Sequence, residues 1–173
     1  TKLTGKTRIE SDLIGAREIP AEALYGVQTL RGIENFSISK FRLSEYPLFI
    51  KGLAITKMAA AMANFELGLL TVEQKDAIIA ACGEILDGKH HDQFPVDMIQ
   101  GGAGTTTNMN ANEVIANRAL ELMGHERGEY QYCSPNDHVN CSQSTNDAYP
   151  TAIHIGMYFK HLQLLPHLEE LIA

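Results

Sequence analysis

The chain has 173 residues, of which 45% are hydrophobic and 20% are charged, and its formal net charge is −7. These values are typical of one ordinary globular domain, and the negative charge argues against nucleic acid or an acidic membrane surface as a partner. The first residues lack the basic and apolar regions of a secretion signal, and we expect no apolar run long enough to span a membrane. The three cysteines form no Cys-x-x-Cys pair, which favours reduced thiols in a cytoplasmic protein.

The first predicted element is a short β-hairpin. Two strand-like segments, Thr7 to Asp12 and Ala16 to Pro20, flank Gly15. A two-stranded ribbon is marginally stable alone, so we expect it to lie on helices. The segment from Ala21 to Phe36 is expected to hold one short helix.

Two strong helices are predicted next. The first begins near Pro47, follows a 3.6-residue apolar period and ends at Gly68. The second opens with a capping box, Thr71 to Gln74, and ends at Gly88. Adjacent histidines in the following loop, at 90 and 91, point apart, and no second ligand pair has metal-binding spacing, so we expect no metal site.

A glycine- and threonine-rich segment, Gly101–Thr107, precedes the next predicted helix, which continues to Met123. We call this segment the Gly-Thr turn. A helix start concentrates unpaired backbone N–H groups and the positive end of the helix dipole, which favours an anion, and the threonine hydroxyls add donors. No Gly-Lys-Ser/Thr sequence follows, so the segment is not a nucleotide P-loop. Alone, the pattern also fits an ordinary helix start.

A second segment of the same kind, Ser142–Asp147, which we call the Ser-Thr turn, precedes the last predicted helix. Two hydroxyl-rich helix starts in one domain predict a ligand with two anionic ends, a small dicarboxylate. Asparagines 108, 112 and 117 are unfavourable inside a helix. They either cross-link helices or, for Asn108, fix the threonines of the turn above it, whereas Asn110 and Asn112 are interpreted as structural.

The last predicted helix runs from Asn146 to the end of the chain. Pro150 is tolerable in its first turn, whereas Pro166 is expected to kink or break it. Its apolar face is expected to remain uncovered and to promote self-association; the residues of this face are Ile153, Met157, Leu164, Leu165 and Leu168.

At this point the sequence resembles a known family, the fumarase/aspartase superfamily, in its N-terminal part. The matching segments, in chain order, are Arg8–Leu13 with Gly15, Tyr25–Arg31, Asp92–Asp97, Gly101–Glu113, Gly128–Tyr132, Pro135–Asn140 and Gln143–Pro150. Fumarases usually carry Thr-Gly-Ser-Gly-Thr in place of residues 101–105, and a histidine in place of Ser134. The aspartate ammonia-lyases of the superfamily are therefore the closer resemblance.

The resemblance implies reversible anti elimination of ammonia from L-aspartate to give fumarate, through an enediolate-like intermediate and without an organic cofactor. It assigns Thr105, Ser144 and Thr145 to the β-carboxylate. Asn146, with help from Thr105, is assigned to the α-amino group, and Asn108 to a supporting role. A class II fumarase acting on malate, or a non-catalytic structural or binding fragment of the same fold, remains an alternative.

The fold that we expect is mainly α-helical. Residues 1–141 form a small N-terminal helical domain with the hairpin, and residues 142–173 begin a long helical-bundle domain. The resemblance also implies a homotetramer whose active site combines loops of several subunits. The family's catalytic base is a serine in Gly-Ser-Ser-x-Met-Pro-x-Lys-x-Asn, a motif that occurs nowhere in these residues. We therefore expect the base beyond Ala173, no catalytic residue in this chain and no activity of the chain alone.

Overall fold

The structure, a computed structural model, describes residues 4–172. It begins with an antiparallel hairpin of β1 (Thr7–Asp12) and β2 (Gly15–Pro20), in which Asp12 lies opposite Gly15. The Asp12 carboxylate closes the turn by accepting the N–H groups of Ile14 and Gly15 at 2.9 and 3.1 Å. The predicted hairpin is confirmed.

Five α-helices follow within residues 4–172, so the mainly α-helical prediction is confirmed. Their bounds are α1 Val27–Asn35, α2 Pro47–Glu66, α3 Val72–Leu86, α4 Thr105–Leu122 and α5 Thr145–Ile172. Single 3₁₀ turns occur at Leu43–Glu45 and His91–Gln93, and a wider π-type turn at Pro135–Val139.

The predicted helix boundaries are confirmed at both ends of α2 and at the start of α3. Pro47 occupies the first turn of α2, where its missing N–H is harmless. Thr71 Oγ accepts from the Gln74 N–H at 3.2 Å, and Gln74 Oε1 accepts from the Thr71 N–H at 3.1 Å. The reciprocal bonds are the predicted capping box.

Pro166 was expected to kink or break α5; the helix is not broken at this residue, and the kink stays a prediction. The helix continues to Ile172. Proline removes one N–H donor and leaves the carbonyl four residues earlier, at Leu162, without its helical partner. Leu162 is 45% exposed, so water can satisfy that carbonyl. The division of the chain at residues 141 and 142 stays a prediction.

The core lies between α2, α3 and α4, and α5 packs along α2. Its central side chains are at most 1% exposed and include Ile50, Leu53, Ile78, Ile85, Ile115 and Leu120. The crossing of α2 and α5 is tight, because a Cβ on Gly52 would overlap the backbone of Ala152. Glycine at this position therefore allows the two helices to approach closely.

Helix α2 is long and apolar enough to cross a membrane by length and composition, with a mean hydropathy of 1.3 in its best window. This differs from the expectation that no apolar run reaches that length. In the structure 44% of the window is buried, and α2 packs on α3 and α5. The core helix of a globular protein can be equally long and apolar, so packing within the fold explains the apolar character of α2.

A buried carboxylate, that of Glu113 on α4, caps the start of α1. Its Oε2 accepts from the N–H groups of Gly26 and Thr29 and from the Thr29 hydroxyl, at 2.8, 3.0 and 2.6 Å. Its Oε1 accepts from the Gln28 N–H at 2.8 Å. Burial raises the pKa of Glu113, although these four donors oppose the shift. Helix α1 has no side-chain cap of its own, so its first turn depends on α4.

Replacing Glu113 with leucine should lower the free energy of unfolding by at least about 3 kcal/mol, because several buried donors would each lose their acceptor at about 1–3 kcal/mol. Urea titration followed by circular dichroism measures the change. The control is Glu66→Leu at the exposed end of α2, for which we expect a change within about 0.5 kcal/mol. Equal losses in the two variants would contradict the capping role.

Candidate functional site

The two hydroxyl-rich helix starts identified in the sequence lie against each other. Gly104, the residue before α4, has φ of 87°, and Gly102 has φ of 68°, values that glycine adopts without strain. A Cβ on Gly104 would overlap the ring of Tyr149, which lies one turn into α5. The glycine therefore permits the start of α4 to touch the start of α5.

The three threonines of the Gly-Thr turn have different surroundings, and all three lie inside α4, which begins three residues earlier than the start expected at Asn108. Thr107 is buried, and its Oγ accepts from Gln100 Nε2 at 2.7 Å while its N–H donates to Gln100 Oε1 at 2.8 Å. Thr106 packs its methyl group against Gly32 of α1. Thr105 alone of the three is exposed, so it is the threonine best placed to meet a ligand.

An open groove with a volume of about 810 Å³ runs past Thr105 and Thr106 toward Ser134 and Asn136 in the wide turn. Ser134 Oγ accepts from the Asp137 N–H at 3.1 Å and so caps that turn. The groove connects the Gly-Thr turn with solvent, which gives a small molecule access to Thr105.

In the Ser-Thr turn, Ser142 has a positive φ of 56°, and α5 begins three residues later at Thr145. Ser144 Oγ accepts from the Asn146 N–H at 3.1 Å and closes the first turn of the helix. Ser144 and Asn146 are exposed, whereas Thr145 is half-buried. All three side chains therefore lie at the N-terminal end of α5, where the N–H groups of Asn146, Asp147 and Ala148 are already bonded to Ser144 and the side chains are the groups left for a ligand.

Asn108 joins the two helix starts directly. Its side chain is 1% exposed, and its Nδ2 donates to Thr145 Oγ at 3.0 Å and to Asn140 Oδ1 at 3.1 Å. This differs from the expectation that Asn108 fixes the threonines of its own turn, because its partner is the threonine of α5. No hydrogen bond joins Thr105 to residues 144–146 within residues 4–172, and the groove past Thr105 is not lined by those three residues.

The other asparagines of α4 hold the helix to its surroundings. Asn117 Nδ2 donates to the Leu24 carbonyl at 2.8 Å, and its Oδ1 accepts from the Gly128 N–H at 2.9 Å. Asn110 Nδ2 donates to the Gln93 carbonyl at 3.0 Å. Asn110 and Asn117 thus tie α4 to loops and a short turn and not to another α-helix, while Asn112 reaches only the Met109 sulphur at 3.6 Å.

Lys57 is the residue that sequence reasoning missed. It is fully buried on α2, and its Nζ donates to Asn140 Oδ1 at 2.8 Å and to Gln143 Oε1 at 3.0 Å. Burial lowers the pKa of Lys57 to about 7, with the nearby Cys82 thiol opposing the shift. The available signal was its position: Lys57 falls in the apolar stripe of α2, at helical spacing from Leu53 and Ala61.

The loop histidines have structural partners. His91 Nε2 pairs with the Ile85 carbonyl at 2.9 Å, and His90 Nε2 pairs with the Glu84 carboxylate at 2.8 Å. In the part of the chain that the structure describes, no group of three or more His, Cys, Asp or Glu side chains is arranged to hold a metal ion.

Lys57→Met should flatten the pH dependence of stability between pH 7 and about 10. The native pKa is about 7, whereas an unfolded lysine titrates near 10.4. Between these values the unfolded state binds more protons, so Lys57 makes the native state more stable as pH rises, by about 1.4 kcal/mol for each unit of pKa difference. Tm measured across this range tests the slope, and Lys51→Met on the same helix should retain it. A slope that is unchanged in Lys57→Met would contradict the assignment.

Comparison with known proteins places the chain in a family. The family described as Lyase (Lyase_1) matches residues 15–173. A protein of Escherichia coli (strain K12) named "Aspartate ammonia-lyase" is 56% identical over 170 residues, which cover 98% of this chain and 36% of that protein. A protein of the same name from Helicobacter pylori (strain J99) is 64% identical over 151 residues, which cover 87% of this chain and 32% of that protein.

Solved structures agree in fold. A Brucella melitensis protein described as "fumarate lyase:delta crystallin", bound to cobalt, matches with a TM-score of 0.95 and 52% identity, over 97% of this chain and 36% of that one. A class II fumarase from Schistosoma mansoni matches with a TM-score of 0.81 and 39% identity, over 87% and 32%. The chain thus spans about a third of the length of the relatives that it matches. It belongs to this lyase family.

Proposed function

We propose that the complete protein is an aspartate ammonia-lyase, which converts L-aspartate reversibly to fumarate and ammonia. The observation that carries the proposal is the hydrogen bond from Asn108 Nδ2 to Thr145 Oγ, which joins two hydroxyl-bearing helix starts. Relatives that are 56–64% identical carry the name of this activity, whereas the class II fumarase structure is 39% identical. Fumarases usually have histidine at the position of Ser134, which also favours an ammonia-lyase over a fumarase.

The proposed chemistry requires donors directed at one carboxylate. Removing a proton from the β-carbon sends its electron pair onto the β-carboxylate, which becomes an enediolate dianion before the C–N bond breaks. Hydroxyl and backbone N–H donors aimed at that group bind the transition state more tightly than the substrate. We assign Thr105, Ser144 and Thr145 to this role, and by analogy with oxyanion holes each donor contributes about 2.7–4 kcal/mol.

The leaving amino group needs a different partner. The exposed carboxamide oxygen of Asn146, in the first turn of α5, can accept a hydrogen bond from an ammonium group, with Thr105 Oγ as a second acceptor. The serine base and its loop motif are absent from the 173 residues, so the chain supplies only part of the carboxylate pocket. When catalytic groups act as a unit, removing one of them removes most of the rate. The chain alone is therefore proposed to be inactive.

We also propose that the complete protein is a cytoplasmic homotetramer that uses no organic cofactor. What supports assembly is the part of α5 from residue 157 onward, where apolar residues are 38–85% exposed; they include Met157, Leu164, Leu165, Leu168, Leu171 and Ile172. An apolar face of this kind is typical of an interface. Sedimentation of the complete protein as a monomer would exclude the assembly.

The complete protein should convert L-aspartate to fumarate and leave malate unchanged. Fumarate absorbance follows both reactions in one assay. The serine motif lies outside these residues, so the sample must be the complete protein and not the 173-residue chain. Dehydration of malate at a rate comparable to that of aspartate deamination would reverse the choice in favour of fumarase, and failure to act on either substrate would favour a non-catalytic role.

Thr105→Val in the complete protein should lower kcat by about 10²–10³-fold while leaving the fold intact, because it deletes one donor and keeps the side-chain shape. Steady-state kinetics and Tm measure the two effects. Thr151→Val, at an exposed position of α5, is the matched control and should keep the parent kcat. Unchanged turnover in Thr105→Val would remove this hydroxyl from the site.

A further inference from the structure

Lys57 lies too far inside the fold to meet a substrate, yet it ends a chain of hydrogen bonds that reaches Thr145. We infer that Lys57 is a positioning residue: it fixes the orientation of two buried carboxamides and so directs the hydroxyl proton of Thr145 toward the ligand. The inference rests on the proposed function, because it assigns Thr145 to the substrate carboxylate.

The first link is between Lys57 and two carboxamide oxygens. A lysine amine offers two N–H donors when neutral and three when charged, and both of its partners here present an oxygen. Nζ lies 2.8 Å from Asn140 Oδ1 and 3.0 Å from Gln143 Oε1. Within residues 4–172 no carboxylate is hydrogen-bonded to Nζ, and the titratable group that faces it is the Cys82 thiol of α3. The two amide oxygens therefore accept both N–H groups of the neutral amine, the form that the lowered pKa of Lys57 favours.

The nitrogen atoms of both amides also have partners that fit the orientation in which each amide oxygen faces Lys57. Asn140 Nδ2 donates to the Gln143 carbonyl at 3.0 Å. Gln143 Nε2 donates to the carbonyls of Val139 and Cys141, at 2.8 and 3.2 Å. Turning either amide by 180° would place N–H groups against the lysine and oxygen against carbonyl oxygen. Lys57 and the turn carbonyls thus select one orientation for each amide.

The second link passes through Asn108. Asn140 Oδ1, held by Lys57, also accepts from Asn108 Nδ2 at 3.1 Å. The Asn108 amide must therefore present its nitrogen on this side, and the second hydrogen of the same nitrogen is donated to Thr145 Oγ at 3.0 Å. Thr145 Oγ accepts this bond, so its own proton cannot point back along it.

The local backbone offers that proton no acceptor. Thr145 is the first residue of α5, so the carbonyl four residues earlier, that of Cys141, lies outside the helix and is not held in the usual acceptor position. That carbonyl already accepts from Asn64 Nδ2 at 2.9 Å and from Gln143 Nε2 at 3.2 Å, which occupies both of its lone pairs. The Thr145 proton is left to donate toward the exposed end of α5, where the proposed carboxylate binds.

A purely structural role does not account for a lysine at this position. Burying an ammonium group without a carboxylate is unfavourable, and an apolar side chain of similar length would fit the apolar stripe of α2 at lower cost. The lowered pKa of Lys57 is the expected consequence of that burial. The amine contributes donors in a fixed place, which methionine cannot supply.

A double-mutant cycle in the complete protein tests the inference, with kcat and KM for L-aspartate as the readouts. Lys57→Met should lower kcat by about tenfold to a hundredfold, somewhat less than the loss of a whole donor. If Lys57 acts through the Thr145 hydroxyl, adding Lys57→Met to Thr145→Val should cause little further loss of kcat. Losses that multiply in the double variant would overturn the inference.

Asn140→Ala provides a second cycle that leaves Lys57 in place, in case Lys57→Met does not fold. It should show the same small extra loss in the Thr145→Val background, and multiplying losses would again overturn the inference. Lys51→Met, a half-buried lysine on the same helix, should keep the parent kcat. If the unmodified protein does not deaminate L-aspartate, the proposed function fails and the inference fails with it. Multiplying losses in an active protein overturn the positioning role alone.

Discussion

The hydrogen bond between Asn108 on α4 and Thr145 on α5 is the contact on which the candidate site depends, because the two helix starts come from segments 37 residues apart. Two further features make that bond possible. Gly104 lets the helix starts touch, and Lys57 holds Asn140 beneath the Asn108 amide. A buried polar layer between α2, α4 and the start of α5 thus holds the half-buried Thr145 hydroxyl.

Such a layer is favourable only when nearly all of its members have partners. Lys57, Asn140 and Gln143 satisfy each other, and the Gln143 amide also binds the turn carbonyls. The Oδ1 atom of Asn108 is buried without a partner among the described residues. Carboxamides can serve the layer because each one offers both donors and acceptors, which explains why asparagine recurs where the helix propensity scale disfavours it.

Local signals predicted most of the fold, because caps and periodicity act over a few residues. The hairpin at Gly15 and the capping box at Thr71 were readable, and so was the start of α2 at Pro47. Two features required the tertiary structure. The approach of α5 determines the partner of Asn108. The role of Lys57 depends on its contact with a turn more than 80 residues away. Neither contact leaves a pattern in the sequence beyond a polar residue on an apolar face.

A crystal structure of the complete protein with bound succinate tests most directly whether the two helix starts form one dicarboxylate site. The account predicts that one succinate carboxylate lies within about 3 Å of the hydroxyl oxygens of both Thr105 and Thr145. It also predicts that the Asn108 to Thr145 bond is retained. Succinate bound away from these hydroxyls, or a Thr145 side chain turned from the ligand, would contradict the account.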